Sequence, residues 1–253
     1  MTANSGIGSP ASPALSMNGV CFAYPSPAGP VPALREVSVT LEAGEWVAVM
    51  GPSGSGKSTV LLCAAGLLRA QSGSVVLDGI DVVRASEAQL SALRRDRLGF
   101  IFQEFNLLPA LTAEQNVGLP ARFGGARRSR EEMREALSRV GLREKAGSRP
   151  EQLSGGQRQR VAIARALVAQ PAVVFADEPT GSLDTHSGDV VLGELQALVD
   201  AGSAVLMVTH DPRVAARGDR VIWLRDGRVV DELVGASAAQ IASRLAGLEG
   251  PPI

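Results

Sequence analysis

No stretch of this sequence is long and apolar enough to cross a bilayer. The longest apolar run, Val60-Leu61-Leu62-Cys63-Ala64-Ala65-Gly66-Leu67-Leu68, falls far short of the ~20 residues a spanning helix needs. The first residues carry neither the basic segment nor the apolar segment of a secretory leader. A soluble, cytoplasmic chain is expected, one that works at a membrane only through another protein. An excess of basic charge is also missing: 25 Lys and Arg stand against 26 Asp and Glu, for a net charge of −1. Proteins that coat nucleic acid show a strong basic excess, so no nucleic-acid partner is expected. Cysteine is scarce. Cys21 and Cys63 sit among apolar neighbours without metal-ligand spacing, and read as small buried hydrophobes in a reducing compartment. Repeats and coiled-coil heptads are absent.

What is present begins at residues 51–59, Gly-Pro-Ser-Gly-Ser-Gly-Lys-Ser-Thr, directly after the apolar run Trp46-Val47-Ala48-Val49-Met50. This is a P-loop, G-x-x-x-x-G-K-[ST], at a strand's end. Glycines at 51, 54 and 56 let the backbone turn tightly and aim its N–H groups inward, and the following helix adds its positive end. Lys57 supplies a mobile charge for the outer phosphates, and Ser58 a hydroxyl for Mg²⁺. Ser53, Ser55 and Thr59 complete the cradle.

The 253 residues suffice for one large α/β domain or two small ones. Residues 1–15, rich in Ser, Gly, Ala and Pro, read as a disordered tail. Strands are expected near 17–24 and 35–42, with a stiff Pro-rich loop at 25–32 between them, and at 75–77 before an Asp78-Gly79 turn. Antiparallel strands should flank the P-loop strand on one side. From about 86 to 170 the pattern turns helical: Ser86 caps a run carrying Leu90 and Leu93, and Met133, Leu137 and Val140 recur at helical spacing. Arg127-Arg128-Ser129-Arg130 reads as a solvated helix start, because Glu131, Glu132 and Glu135 follow. Buried strands then return at 171–176 and 205–208, with a helix over 187–201, a hairpin around Asp226-Gly227 and a short final helix over 236–247.

Three of these strands end in chemistry: Met50 runs into the P-loop, Ala176 into Asp177-Glu178, and Val208 into Thr209-His210. Open parallel sheets bind ligands at the carboxyl ends of their strands, so these groups should surround one nucleotide. Mg²⁺ on a triphosphate needs a carboxylate, and hydrolysis needs a group that orients or deprotonates water. Adjacent acids can divide the work, Asp177 toward the metal and Glu178 toward the water. His210 can touch a γ-phosphate. Gln103, after Gly99-Phe100-Ile101-Phe102, can reach the metal or the water. His186 is assigned nothing. Leu153-Ser154-Gly155-Gly156-Gln157 forms a second anion-ready helix start: Ser154 caps it, and Gly155 and Gly156 allow close approach. It has no ligand of its own unless it completes a neighbour's phosphate site.

Together, the P-loop, Gln103, residues 153–157, Val173-Val174-Phe175-Ala176-Asp177-Glu178, Ser182-Leu183-Asp184 and His210 resemble the ATP-binding subunit of an ATP-binding-cassette (ABC) transporter. The likeness spans about residues 16–235. It implies an α/β fold: a P-loop NTPase core with a mixed or parallel sheet, an antiparallel β subdomain, and an inserted helical subdomain over about 100–165, followed by a C-terminal helix and tail over 236–253. It also implies a head-to-tail dimer, with itself or a paralogue, holding two ATP molecules with Mg²⁺ between one chain's P-loop and the other's Ser154, Gly155, Gly156 and Gln157. Tyr24, which in isolation reads equally as a core aromatic, would stack on adenine. Asp184 would lie at the dimer interface, Glu178 would be the general base and His210 would contact the γ-phosphate. Residues 99–109, Leu111-Thr112-Ala113 and 176–184 resemble the lipoprotein-release, macrolide-export and cell-division subgroup, whose members drive an integral membrane permease from the cytoplasmic side. Residues 105–112 are the expected partner-facing surface. Ser182, where Asn is frequent, and the Pro-rich loop at 25–32 depart from the pattern, and neither is expected to touch the chemistry. The alternatives are an amino-acid or ion importer subunit, a soluble ABC ATPase acting on DNA or ribosomes, and a nucleotide-binding module without turnover. Glu178 and His210 speak against the last, and the lack of a coiled-coil insertion or second cassette against the soluble ATPase.

Overall fold

The structure is a computed structural model and describes residues 12–102, 104–123 and 128–248. The alternating stretches near its start form a sheet of their own. β1 (Leu15–Tyr24) lies antiparallel to β2 (Val31–Leu41), with buried residues at every second position, such as Leu15 and Met17 in β1 and Val37, Val39 and Leu41 in β2. β3 (Trp46–Met50) leaves for a second sheet. β4 (Ser72–Leu77) returns to pair with β1, and β5 (Ile80–Asp81) closes the edge, giving the order β2-β1-β4-β5.

The second sheet has six strands: β6 (Leu98–Ile101), β7 (Val173–Asp177), β8 (Ala204–Val208), β9 (Arg220–Arg225) and β10 (Arg228–Val234) join β3 in the order β10-β9-β3-β8-β7-β6. All pairings are parallel except the β9–β10 hairpin, whose turn holds Asp226 and Gly227 at φ 50° and 75°. β3, β7 and β8 read as unbroken apolar runs because both sides of this sheet are covered. Val47, Val49, Phe175, Leu206 and Val208 pack with the first sheet, α1 (Lys57–Ala64) and α2 (Glu87–Asp96). Trp46, Ala48, Met50, Ala176 and Met207 face the opposite helical layer.

That layer contains α3 (Ala113–Val117), the short α4 (Leu119–Arg122), α5 (Arg130–Arg139), α6 (Gly155–Leu167), α7 (Thr185–Asp200), α8 (Pro212–Ala215) and α9 (Ala238–Leu248). α3, α5 and α6 pack against one another. Reciprocal capping by Ser86, Thr112, Ser129 and Ser154 starts α2, α3, α5 and α6, each helped by a Gln or Glu three residues on.

Several expectations change. The antiparallel strands do not flank the P-loop strand: β3 lies between β8 and β9, both parallel to it, and the antiparallel sheet is a separate layer. The segment from 86 to 170 is not wholly helical. Residues 98–101 are strand β6, whose four residues are too few to show a period. Val31 and Pro32 belong to β2 rather than to the preceding loop, and Leu15, placed in the tail, is fully buried in β1. Cys63 is buried, but Cys21 only half so.

Candidate functional site

Sheet register brings the chemistry together. Val49 of β3 pairs with Val208 of β8, and Val208 with Asp177 of β7, so all three strands end at one level. Past these ends lies a cavity of about 730 Å³, lined among others by Tyr24, Lys57, Ser58, Asp177, Glu178 and His210.

The loop from β3 to α1 needs its glycines. Gly51 has φ 150°, and a Cβ there would lie 2.0 Å from the Leu224 carbonyl oxygen. Gly56 has φ 102°, and a Cβ there would lie 2.5 Å from the Ala33 carbonyl oxygen. Gly51 and the buried Ser55 do not line the cavity. They hold the loop from beneath, where the Ser55 carbonyl accepts from the Gly227 N–H at 3.0 Å. Ser53, Gly54, Gly56, Lys57, Ser58 and Thr59 form the wall. Gly56 caps α1 with no side-chain hydrogen bond, so the first N–H groups of α1 have no capping side chain at the cavity. Lys57 Nζ donates to the Gly51 and Pro52 carbonyls at 2.9 and 2.8 Å. Burial lowers the Lys57 ammonium below the usual lysine range, opposed by the nearby charges of Glu178 and Asp177.

Asp177 ends β7 on the same wall as Ser58. Glu178 follows with φ 48°, a left-handed conformation uncommon outside glycine. Its N–H donates to the Val208 carbonyl at 3.0 Å, which anchors that turn to β8. His210 Nδ1 lies 2.8 Å from Glu178 Oε1. An ionised carboxylate only accepts, so the imidazole donates. Among the described residues, no cluster of three His, Cys, Asp or Glu side chains could hold a metal by itself. A cation beside Ser58 and Asp177 would need oxygens from a phosphate and water, which is the usual habit of Mg²⁺.

Tyr24 lies on the cavity wall rather than in the core. Its ring meets Phe22 edge-on at 5.0 Å, and its hydroxyl is 3.2 Å from Thr59 Oγ1. Ser154, Gly155, Gly156 and Gln157 do not line this cavity. Ser154 Oγ accepts from the Gln157 N–H at 3.2 Å, and Gln157 Oε1 accepts from the Ser154 N–H at 3.0 Å, leaving an ordered helix start away from Lys57. Asp184 is also off the wall and caps α7, its carboxyl held below the usual range chiefly by the Ser187 backbone N–H, which donates to it at 3.0 Å. Gln103 and Arg127 lie outside the described residues.

The sequence reading missed some of this wall. Val31, Pro32, Gly181 and Ser182 line the cavity, so both the 25–32 segment and Ser182, set aside as departures, reach the site. It also missed the inward grip of α6. Arg165 donates to the Phe105 and Asn106 carbonyls at 3.1 and 2.6 Å, Arg158 covers the Phe105 ring at 5.2 Å, and Gln159 donates to the Pro179 carbonyl at 3.0 Å. The buried Asn116 shapes the 105–112 segment through the Leu108 N–H and the Leu108, Leu111 and Thr112 carbonyls. No sequence period marks these contacts, since each joins segments distant in the chain or a loop without period.

The family model described as ABC transporter matches residues 34–181. The chain is 45% identical over 218 residues to the ABC transporter ATP-binding protein YvrO of Bacillus subtilis, covering 85% of this chain and 95% of that protein. It is 50% identical over 232 residues to the macrolide export ATP-binding/permease protein MacB 1/2 of Paracoccus denitrificans, covering 90% of this chain. There it spans only 34% of the relative's length. A solved ATP-binding cassette, described as a dimer in a post-hydrolysis state bound to ADP and Pi, superposes with a TM-score of 0.84 at 40% identity, covering 88% of this chain and 99% of that one. The chain therefore belongs to the ABC transporter family, to which it brings the family's ATP-binding cassette, an ATPase.

Proposed function

We propose that this chain is the ATP-hydrolysing engine of a membrane export or force-transmission complex, and that it works as a head-to-tail dimer with two ATP molecules between the chains. The observation that carries this reading is the separation of the chain's two anion-ready helix starts. Lys57 and Ser58 open α1 on one cavity wall with Asp177, Glu178 and His210, while Ser154 opens α6 off that wall. Each is half of a site, and a second chain supplies the other half.

In this reading the cassette spans residues 16–235, with Tyr24 against the adenine and the P-loop around the phosphates. Lys57 holds the outer phosphates. Ser58 and Asp177, with Gln103, would hold Mg²⁺, which would neutralise charge developing on the transferred phosphoryl group. Glu178 removes a proton from the attacking water as its oxygen bonds the γ-phosphorus. The bond to the β-phosphate oxygen breaks, and ADP and inorganic phosphate leave. His210 keeps Glu178 oriented and meets the γ-phosphate. Asp184 and residues 154–157 form the partner-facing side of the second site. No helix among the described residues is long and apolar enough to cross a membrane. In this reading the membrane partner is a permease that docks at residues 105–112 and holds the cassette at the inner face of the membrane. The names of the macrolide-export relatives favour an exporter.

The test is phosphate release by the purified chain with Mg·ATP. Glu178→Gln should keep ATP binding and lose turnover by at least ~100-fold, within the range general-base catalysis supplies. Wild-type turnover in that variant would remove Glu178 from the role of base.

A further inference from the structure

α6 carries Ser154 at its start and, one turn further on, a side chain that the site chemistry leaves unexplained. Gln159 is 1% exposed. Its Nε2 donates to the Pro179 carbonyl at 3.0 Å, and its Oε1 is buried without a partner. A buried amide left half-satisfied is costly, and a Met or Leu would fill the same space without that cost. Packing alone therefore does not account for a glutamine here. The donated hydrogen bond does.

Its acceptor stands at a telling place. Pro179 follows Glu178 directly, and proline has no N–H with which to anchor itself. The chain from Glu178 to Asp184 is a pair of linked turns, with the Gly181 N–H donating to the Glu178 carbonyl at 3.1 Å and the Leu183 N–H to the Thr180 carbonyl at 3.0 Å. α6 touches the far end of this loop as well: a Cβ on Gly156 would lie 3.3 Å from Leu183 Cδ2. The helix start at Ser154 and the loop holding Glu178 thus lie close at two points. At one of them a directional bond from a fixed side chain joins them.

We propose that Gln159 is a positioning residue that couples the two ATP sites of the dimer. This rests on the head-to-tail reading above. In that arrangement the Glu178 of a chain serves one nucleotide and its Ser154 the other. The Gln159–Pro179 bond then makes any shift of α6, as Ser154 closes on one ATP, displace the backbone beside the Glu178 that attacks the other. Gln159 touches no nucleotide and acts through Pro179.

The experiment uses the full chain carrying Gln159→Met, which keeps the shape and removes both the donor and the orphaned acceptor. Four quantities are compared with wild type: Tm, ATP affinity of the single chain, kcat, and the Hill coefficient of ATP hydrolysis, whose ceiling for two sites is 2. The proposal expects Tm and single-chain affinity to stay level, kcat to fall about 5-fold or more, as for loss of a typical inter-site coupling, and the Hill coefficient to drop from above 1 to 1. A merely structural role would lower Tm and leave the Hill coefficient in place. Wild-type kcat and Hill coefficient in Gln159→Met overturn the proposal. If Gln159→Met does not fold, Gln159→Leu, which also lacks the donor, is read the same way. A wild-type chain that hydrolyses ATP with a Hill coefficient of 1, and whose Glu178→Gln variant stays monomeric with ATP, overturns the dimer reading and this proposal together. A Glu178→Gln dimer combined with an unaltered Gln159→Met overturns this proposal alone.

Discussion

Replacing Lys57 by Met tests the phosphate site at its one mobile charge. The Lys57 ammonium is half-buried and donates to two neutral carbonyls, those of Gly51 and Pro52. In the proposed site, phosphate oxygens replace those acceptors when ATP binds. The gain is the difference between an ammonium–carbonyl bond, charged on one side, and an ammonium–phosphate bond, charged on both, about 1–1.5 kcal/mol for each bond exchanged. For one to two bonds this is about 1–3 kcal/mol, or a rise in the ATP Kd of about 5- to 150-fold. Met keeps most of the apolar stem, and the loop is held independently by the Gly227–Ser55 hydrogen bond, so the fold should persist. Titration calorimetry with Mg·ATP, alongside AMP, reads the effect. AMP lacks the outer phosphates and should bind both proteins alike. The pH dependence follows from the same group. Burial lowers the pKa of Lys57, and a lysine loses its charge as pH rises through its pKa. ATP affinity of the wild type should therefore weaken on the alkaline side sooner than a solvated lysine would allow, and Lys57→Met should lack that limb. An ATP Kd within about 3-fold of wild type, in a folded variant, would refute the assignment.

Two further outcomes follow from the site and its packing. Ser154→Arg, at a helix start off the Lys57 cavity, should leave ATP binding to the single chain unchanged but abolish ATP-driven association. Sedimentation that still finds an ATP-dependent dimer would remove Ser154 from the interface. Cys63 is 1% exposed, and burial pushes its thiol up to about 12. Maleimide labelling near neutral pH should therefore spare Cys63 in the folded chain and reach it in denaturant, and rapid native labelling at Cys63 would contradict the packing of α1.

Much of the candidate site's assembly was legible in the sequence because its residues stand at the ends of buried strands. An apolar run of five residues followed by Gly, Asp-Glu or Thr-His marks both a strand and the point where its polar groups emerge. Parallel pairing of β3, β8 and β7 then brings those points to one level. The caps at Ser86 and Ser154 were legible for a similar reason, since a cap and its helix are local. What escaped depended on contacts across the chain. β6 was hidden because four residues inside a helical stretch show no period of their own. The separation of the two sheets was hidden because alternation reveals a strand but not its partner. Pro32 and Ser182 reach the cavity through the course of β2 and of the loop after Glu178. Gln159 is invisible in the sequence, a glutamine between two arginines that only the fold turns inward onto Pro179.

The central claim is that ATP joins two copies of this site. The most direct measurement is the mass of the Glu178→Gln chain by sedimentation velocity, with Mg·ATP and with Mg·ADP. The account predicts a dimer retaining two ATP molecules in the first case and a monomer in the second. A Glu178→Gln chain that binds ATP and remains monomeric would contradict it.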